Sequence, residues 1–241
     1  MPLAVVWDFD HSLIPDANSD TWIPAQLHAP AAEYIRRGSA AGTQWTALMH
    51  ATLGLLHGAG VGADAITGAA ARLPSDARVL AAIRALHAAG ATQFILSDAN
   101  SLYIGSYLAA HGLAHCFAAV KTNPAAVGEG GRVAVAPYHA RPPGCPRCPV
   151  NLCKGRVLEE ELRALAAGAG AGAGGAVKWL YVGDGGGDAC PCLRLGAGDV
   201  VLAREGWELH RRLQREAPAA RVVPWASGEA LAAALAREAG E

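Results

Sequence analysis

Lysine is scarce in this chain of 241 residues. Only Lys121, Lys154 and Lys178 occur, and arginine supplies the rest of the 20 basic residues. A lysine in a polar, turn-rich setting is therefore unusually informative. Net charge is nearly absent too, at −1, which argues against non-specific nucleic-acid binding, since that requires a basic surface. No apolar run is long enough to span a bilayer and no basic-then-apolar leader is visible, so no membrane association is expected. Six cysteines do not make a disulfide framework in a chain of this size, and a reducing, cytoplasmic setting is expected. The histidines are scattered without ligand spacing, and no internal repeat is present.

What is present is a hydrophobic fraction of 52%, enough for a substantial core in one large domain or in a core domain with a smaller insertion. The opening run Val5-Val6-Trp7-Asp8-Phe9-Asp10-His11-Ser12-Leu13-Ile14 is a short apolar stretch that ends in two aspartates one residue apart. In a strand, residues two apart share a face. Two carboxylates so placed repel each other and are costly to desolvate unless a cation or a donor compensates. A turn in which Asp10 caps a helix accounts for the second aspartate but not for Asp8, which directly follows the apolar run. The aspartates are also clustered. Seven of the ten fall at Asp8, Asp10, Asp16 and Asp20, at Asp98, and at Asp184 and Asp188.

Residues 3–9 read as a buried strand. Helical periodicity without strand signal then runs to about residue 72, as an inserted lid would. Trp22, Trp45 and Met49 are expected to fill that lid's core rather than to touch a ligand. An amphipathic helix over 75–89 ends at Gly90. A strand over 92–96 then ends in Ser97-Asp98-Ala99-Asn100, and another helix follows. Strand, polar turn, helix is the signature of a parallel sheet. Further strands are expected at 115–121, 131–136, 177–182, 199–202 and 222–223. Helices are expected from Lys154 to about residue 167, around 205–215, and from Ser227. A Pro- and Cys-rich loop covers 137–153, and the Gly/Ala run 168–175 reads as a flexible linker. The fold class is α/β, a doubly wound, Rossmann-like parallel sheet formed by residues 1–16 and 76–241. A small all-helical cap, residues 17–75, is inserted after the first strand.

The carboxyl ends of neighbouring parallel strands share a crevice in which ligands bind. Three strands end in Asp8 and Asp10, in Ser97 and Asp98, and in Asp184 and Asp188. Adjacency would bring several carboxylates, a hydroxyl and the Lys154 ammonium together. Carboxylates that close ask for a hard cation, Mg²⁺ before Ca²⁺. A lysine and the glycine-rich turn Gly185–Gly187 ask for an anion beside it. Metal and anion together point to phosphoryl transfer. Ser97 and Asn100 also suit the cap of the next helix, a role compatible with phosphate binding. A lysine at a helix N-terminus opposes the dipole, which favours a functional reason for Lys154.

The set Asp8-Phe9-Asp10-His11-Ser12, Ser97, Lys154 and Gly183-Asp184-Gly185-Gly186-Gly187-Asp188 resembles the four motifs of the haloacid dehalogenase superfamily of phosphatases. More narrowly, four segments resemble the phosphoethanolamine/phosphocholine phosphatase and pyridoxal phosphate phosphatase family. They are Asp16-Ala17-Asn18-Ser19-Asp20, Ser97-Asp98-Ala99-Asn100, Cys145-Pro146-Arg147-Cys148-Pro149-Val150-Asn151-Leu152-Cys153-Lys154 and Cys190-Pro191. The resemblance implies an Mg²⁺-dependent phosphomonoesterase that works through an aspartyl-phosphate. It makes Asp8 the nucleophile, Asp10 the acid–base, and Lys154 the partner of the charge on Asp8 and the phosphoryl group. It gives the Mg²⁺ to Asp8, the Asp10 backbone carbonyl and Asp184, and a phosphate oxygen to Ser97. Ser12, Asp20, Asp98 and Asn100 fall on the substrate side, and Asp188 orients Lys154 or a metal-bound water.

Asp20 and Asp98 add negative charge that phosphoryl transfer does not need. A small-molecule ester with a cationic group is therefore expected, such as phosphocholine, phosphoethanolamine, pyridoxal phosphate or thiamine monophosphate. A phosphoserine- or pyrophosphate-hydrolysing relative is the alternative. Two departures from the family pattern stand out, Pro15 as an extra residue in the first loop and Gly187 where asparagine is commoner. Cys145, Cys148 and Cys153, with Cys190 or Cys192, have the count for a four-thiolate zinc site, although a second CxxC is missing. Buried free thiols that clamp the long loop near Lys154 are the expected arrangement. A zinc- or thiol-based binding protein, with that loop as its working part, is the rival to an enzyme.

Overall fold

The apolar residues that precede the first aspartate form β1 (Leu3–Trp7), buried throughout after Leu3. The computed structural model of the protein describes residues 1–166, 168 and 177–240. Alternation along β1 sends Val5 and Trp7 into one core layer and Ala4 and Val6 into the other, as the two-residue period of a strand dictates. A strand apolar on both faces belongs inside a parallel sheet. β1 accordingly pairs in parallel with β2 (Thr92–Asn100) on one side and β6 (Lys178–Gly183) on the other. With β3 (Ala119–Asn123), β7 (Val200–Arg204) and β8 (Arg221–Trp225), the sheet order is β3-β2-β1-β6-β7-β8, all parallel.

Helices cover both faces. Against Val5 and Trp7 pack α5 (Ala77–Ala88), α6 (Ser101–Ala110) and α11 (Gly228–Ala239), through Val79, Ile83, Ile104, Leu231 and Leu235. The other face carries α7 (Lys154–Val157), continued by a π-helical turn (Leu158–Leu162) and α8 (Arg163–Ala166), with α9 (Ala189–Cys192) and α10 (Glu208–Glu216) beside it. Val157, Leu162, Leu209 and Leu213 face that layer. Each such side chain, fully buried, contributes about 1.5–3 kcal/mol. The architecture is the doubly wound α/β fold that the strand–turn–helix pattern implies.

Between β1 and α5 the chain forms α1 (Ser19–Leu27), α2 (Pro30–Ala40), α3 (Trp45–Gly58) and α4 (Ala63–Ala70). Asn18 caps α1 by accepting from the Thr21 amide at 3.1 Å, and Pro30 opens α2, where its missing N–H removes no helical bond. Ile35, Leu48 and Met49 make a small core of their own, with Trp45 packed at its edge. A hairpin from later in the chain, β4 (Ala125–Val127) with β5 (Val133–Val135), packs on α3 and joins this helical layer. His50 Nδ1 lies 3.0 Å from the Val135 carbonyl at that contact.

Boundaries differ from the sequence reading in two informative places. β2 runs on to Asn100 instead of ending at Leu96, because Asn100 pairs again with Asn123 after Leu96 pairs with Lys121. Four steps along β2 thus face two along β3, and the two extra residues bulge, which re-aims side chains at a strand end. β3 begins at Ala119 because 114–116 form a 3₁₀ turn that ends α6's return. The proposed linker, 168–175, lies outside the described residues apart from Gly168. Among the described residues, no helix is long and apolar enough to cross a membrane.

Candidate active site

The loop after β1 is held in a tight reversal. The Asp8 amide extends the sheet ladder to the Val182 carbonyl at 2.9 Å. The chain then folds back, with the Leu13 amide on Asp8 O at 3.1 Å and the Ile14 amide on Phe9 O at 3.0 Å. His11 sits at φ +56°, a left-handed conformation that only outside support makes tolerable for a side-chain-bearing residue. Arg204, at the end of β7, supplies that support by donating to the carbonyls of His11, at 2.9 Å, and of Pro15. Its guanidinium rests 4.4 Å from the Trp207 ring centre. The extra residue Pro15 therefore contributes an acceptor that ties the first loop to β7.

Lys154 opens α7 and is buried, with 4% of its surface exposed. Its Nζ lies 2.9 Å from Asp8 Oδ1 and 2.7 Å from Asp188 Oδ1. Asp188 is fully subscribed. Its Oδ1 also accepts from the Tyr181 hydroxyl at 2.7 Å, and its Oδ2 accepts from the amides of Asp184 at 3.2 Å and Gly185 at 2.9 Å. Gly183 permits this approach, since a Cβ there would stand 2.8 Å from the Asp188 carboxylate. Ser12 Oγ donates to Asp184 Oδ1 at 3.1 Å. The Ser19 amide, at the start of α1, donates to Asp10 Oδ1 at 2.7 Å, and Trp45 Nε1 donates to Asp20 Oδ2 at 2.7 Å.

These groups surround a cavity of about 290 Å³ between the sheet and the helical layer. The sheet side contributes Asp8, Asp10, Lys154, Asp184, Asp188 and the glycine turn. The bulge of β2 contributes Asp98, and the helical side contributes Asn18, Asp20 and Trp45. Ser97 and Asn100 lie beneath the wall instead. Ser97 Oγ accepts from the Ala99 amide at 3.2 Å, and Asn100 caps α6 by accepting from the Tyr103 amide at 3.1 Å. Ser12 likewise faces Asp184 rather than the cavity. Gly187 borders open space, with nothing within 4 Å of where a Cβ would be.

Too many carboxylates share one ammonium. Burial, and then the neighbouring Asp188, raises the Asp8 carboxyl well above its ordinary value, and Lys154 offsets only part of that rise. Burial opposes charge on Lys154, but Asp188 and Asp8 outweigh it and hold the ammonium charged. Asp10 is pushed up to about 7 by burial, which the Ser19 hydrogen bonds only moderate. Asp184 is also pushed up to about 7, by burial and then by Asp188. Burial, with Asp10 beside it, raises Asp20 well above the usual carboxylate range. The arrangement lacks positive charge at its centre.

That deficit fits a hard divalent cation. The carboxylates of Asp8, Asp184 and Asp188 all have an oxygen within 4.8 Å of one another. Asp188 already spends its oxygens on Lys154, Tyr181 and two amides, which leaves Asp8 and Asp184 as carboxylate ligands, the donor chemistry that Mg²⁺ takes.

Sequence reasoning missed Trp45, which borders the cavity instead of serving only as lid core, and Arg204, Tyr181 and Ser19, which hold the acidic groups in place. Only Trp45 carried a usable signal. An indole beside polar Gln44 and Thr46, at the start of a helix, has a donor that a buried environment must satisfy.

Residues 3–238 match a protein family described as "Putative Phosphatase". The chain is 35% identical over 242 residues to the pyridoxal phosphate phosphatase of Mus musculus, covering 95% of each chain. It is 34% identical over 213 residues to inorganic pyrophosphatase 2 of Arabidopsis thaliana, covering 86% of this chain and 73% of that one. Among solved structures, a haloacid dehalogenase family hydrolase from Salmonella enterica superposes with a TM-score of 0.58 at 14% identity, over 92% of this chain and 68% of that one.

Proposed function

The chain belongs to this phosphatase family, with the haloacid dehalogenase fold and an activity on small phosphate esters, and from that premise we propose the chemistry and the preferred ester. Asp8 is the nucleophile. Its Oδ1 is drawn toward Lys154, and its carboxylate attacks the phosphorus to give an aspartyl-phosphate while the ester oxygen leaves. Asp10, pushed up to about 7, holds a proton near neutral pH, gives it to the leaving oxygen, and then takes one from the water that hydrolyses the intermediate. A second carboxyl is required because a phosphorylated Asp8 has no free base. Lys154 stabilises the transferring phosphoryl charge, and Asp188 fixes the ammonium in place. Asp8, Asp184 and the Asp10 backbone carbonyl would hold Mg²⁺, which would supply charge that offsets repulsion between phosphate and carboxylates.

The observation that carries the mechanism is the 2.9 Å Lys154–Asp8 pair on a cavity that Asp10 shares. Hydrolysis of an aryl phosphate is expected to need Mg²⁺ and to vanish in Asp8→Asn. Retained activity in that variant overturns the mechanism.

The leaving group is cationic. Asp20 and Asp98 lie on the cavity without a part in the transfer, and Trp45 presents an indole beside Asp20. An aromatic face, Asp98 and an Asp20 carboxyl that a neighbouring cation would draw into its ionised form together suit a quaternary ammonium, a primary amine or a pyridinium. The named activity of the mouse relative, on pyridoxal phosphate, agrees with this preference, whereas that of the Arabidopsis relative, on pyrophosphate, does not. Comparing phosphocholine, phosphoethanolamine, pyridoxal phosphate, thiamine monophosphate and pyrophosphate decides the matter. Pyrophosphate as the best substrate overturns the cationic reading and leaves the mechanism standing.

A further inference from the structure

The loop that leads into Lys154 has almost no regular structure and five prolines, Pro137, Pro142, Pro143, Pro146 and Pro149, so few backbone hydrogen bonds hold it. Its cysteines nevertheless converge. One sulfur each from Cys145, Cys148, Cys153 and Cys190 lies within 4.8 Å of all the others. Cys145 and Cys190 are 3.8 Å apart, and Cys153 and Cys190 are 4.0 Å apart. A tetrahedral zinc with Zn–S bonds of about 2.3 Å sets its sulfurs about 3.8 Å from one another. The four thiols therefore already stand near the spacing that the ion imposes.

The surroundings are shaped for this cluster. Gly155 sits where a Cβ would come within 2.5 Å of Cys190 Sγ, so the first turn of α7 closes on that sulfur only because the residue is glycine. Arg194 lies against the same site, a cation beside sulfurs that carry negative charge once ligated. Cys116 and Cys192 do not belong to the set. The missing second CxxC is replaced by single cysteines from two helix starts, which only the fold brings together.

We propose that Cys145, Cys148, Cys153 and Cys190 bind one structural zinc ion in an all-thiolate tetrahedral site. Binding releases the thiol protons to solvent and involves no redox step. The ion would not touch substrate. Cys153 immediately precedes Lys154, and Cys190 follows Asp188 by two residues, so the zinc cross-links the two segments whose side chains meet at 2.7 Å in the cavity. It is a positioning element for the Lys154–Asp188 pair, and it stands whether or not the proposed substrate class is right.

The test is metal content by mass spectrometry on protein purified under reducing conditions from zinc-supplemented cells. One zinc per chain is expected in the parent protein, in Cys116→Ser and in Asp184→Asn, and loss of zinc is expected in Cys148→Ser. Substituting Co²⁺ for the zinc should give the intense thiolate-to-cobalt absorption of a tetrahedral sulfur site. Substoichiometric zinc in the parent, zinc retained in Cys148→Ser, zinc lost in Asp184→Asn, or a Cys145–Cys190 disulfide in peptide mapping each overturns the proposal. Should Cys148→Ser be insoluble, the parent protein decides. Titration with a mercurial must release one zinc as four thiols react, and release without thiol modification rules the site out.

Discussion

Lys154 Nζ meets Asp8 Oδ1 at 2.9 Å with both side chains under a tenth exposed, so the ammonium, shared with Asp188, offsets part of the cost of burying Asp8. Removing one partner of a buried ion pair strands the other, at a cost of about 3–5 kcal/mol. Lys154→Met is therefore expected to lose about that much stability in urea unfolding and about 10²–10³-fold in kcat, the usual size of a lost charge-stabilising group. A variant within a few-fold of the parent in kcat takes Lys154 out of the reaction.

Stability should depend on pH in a direction unusual for carboxylates. Asp10 and Asp184 are pushed from 3.8 up to about 7, and Asp8 and Asp20 move the same way, all chiefly by burial. A raised carboxyl pKa means that the folded state binds more protons than the unfolded chain, so its stabilising effect is complete below about pH 4 and fades as pH rises through about 7. In chelator, the Tm should fall across that window. Mg²⁺ at a hundredfold excess over its Kd should restore about 2.7 kcal/mol near neutral pH. A chelated protein whose Tm climbs steadily from acid to neutral pH contradicts the assignment.

The specificity reading separates two substrates rather than two rates. Trp45→Ala removes an aromatic face worth about 0.5–2 kcal/mol to a cation, so kcat/KM for phosphocholine should drop about 2- to 30-fold. Asp20→Asn should act in the same direction. Hydrolysis of an uncharged aryl phosphate should barely change in either variant. Equal losses on both substrates would mean that these side chains shape the cavity and do not recognise charge.

Arg204→Ala tests the first loop without touching the carboxylates. Two carbonyls lose a charged donor, and such bonds contribute about 1.5–3 kcal/mol each. Because the loop carries Asp8 and Asp10, kcat should fall about tenfold while KM stays nearly constant. Arg204→Lys should recover only part of this, since Nη1 alone serves both acceptors while the flat guanidinium rests on the Trp207 and Trp225 rings, and an ammonium loses that stacking. Full recovery by lysine would reduce the role of Arg204 to charge alone.

The doubly wound sheet was legible because strand ends declare themselves where apolar runs stop at Asp8, Ser97 and Asp184. Lysine scarcity made Lys154 stand out, and the cavity indeed gathers it with Asp8, Asp10, Asp20, Asp98, Asp184 and Asp188. What stayed hidden depends on distance across the fold. Nothing local distinguishes Arg204 from the other arginines, and its value comes from carbonyls nearly two hundred positions earlier. Ser97 and Asn100 have turn chemistry, yet the second pairing of Asn100 with Asn123 keeps them in a bulged strand. Trp45 obeys helical apolar spacing, and although its indole donor signals the need for a partner, only the fold shows that the partner is Asp20.

The place of β1 between β2 and β6 also sets a timetable for synthesis. Asp8 leaves the ribosome well before the neighbour on one side of its strand, Lys178–Gly183. Until then an apolar strand waits with an unpaired edge, and non-local parallel pairing is slow to form. The nascent chain is therefore exposed to misassociation over that interval, and the cavity that Asp8 and Lys154 border is completed only after Asp188 has emerged.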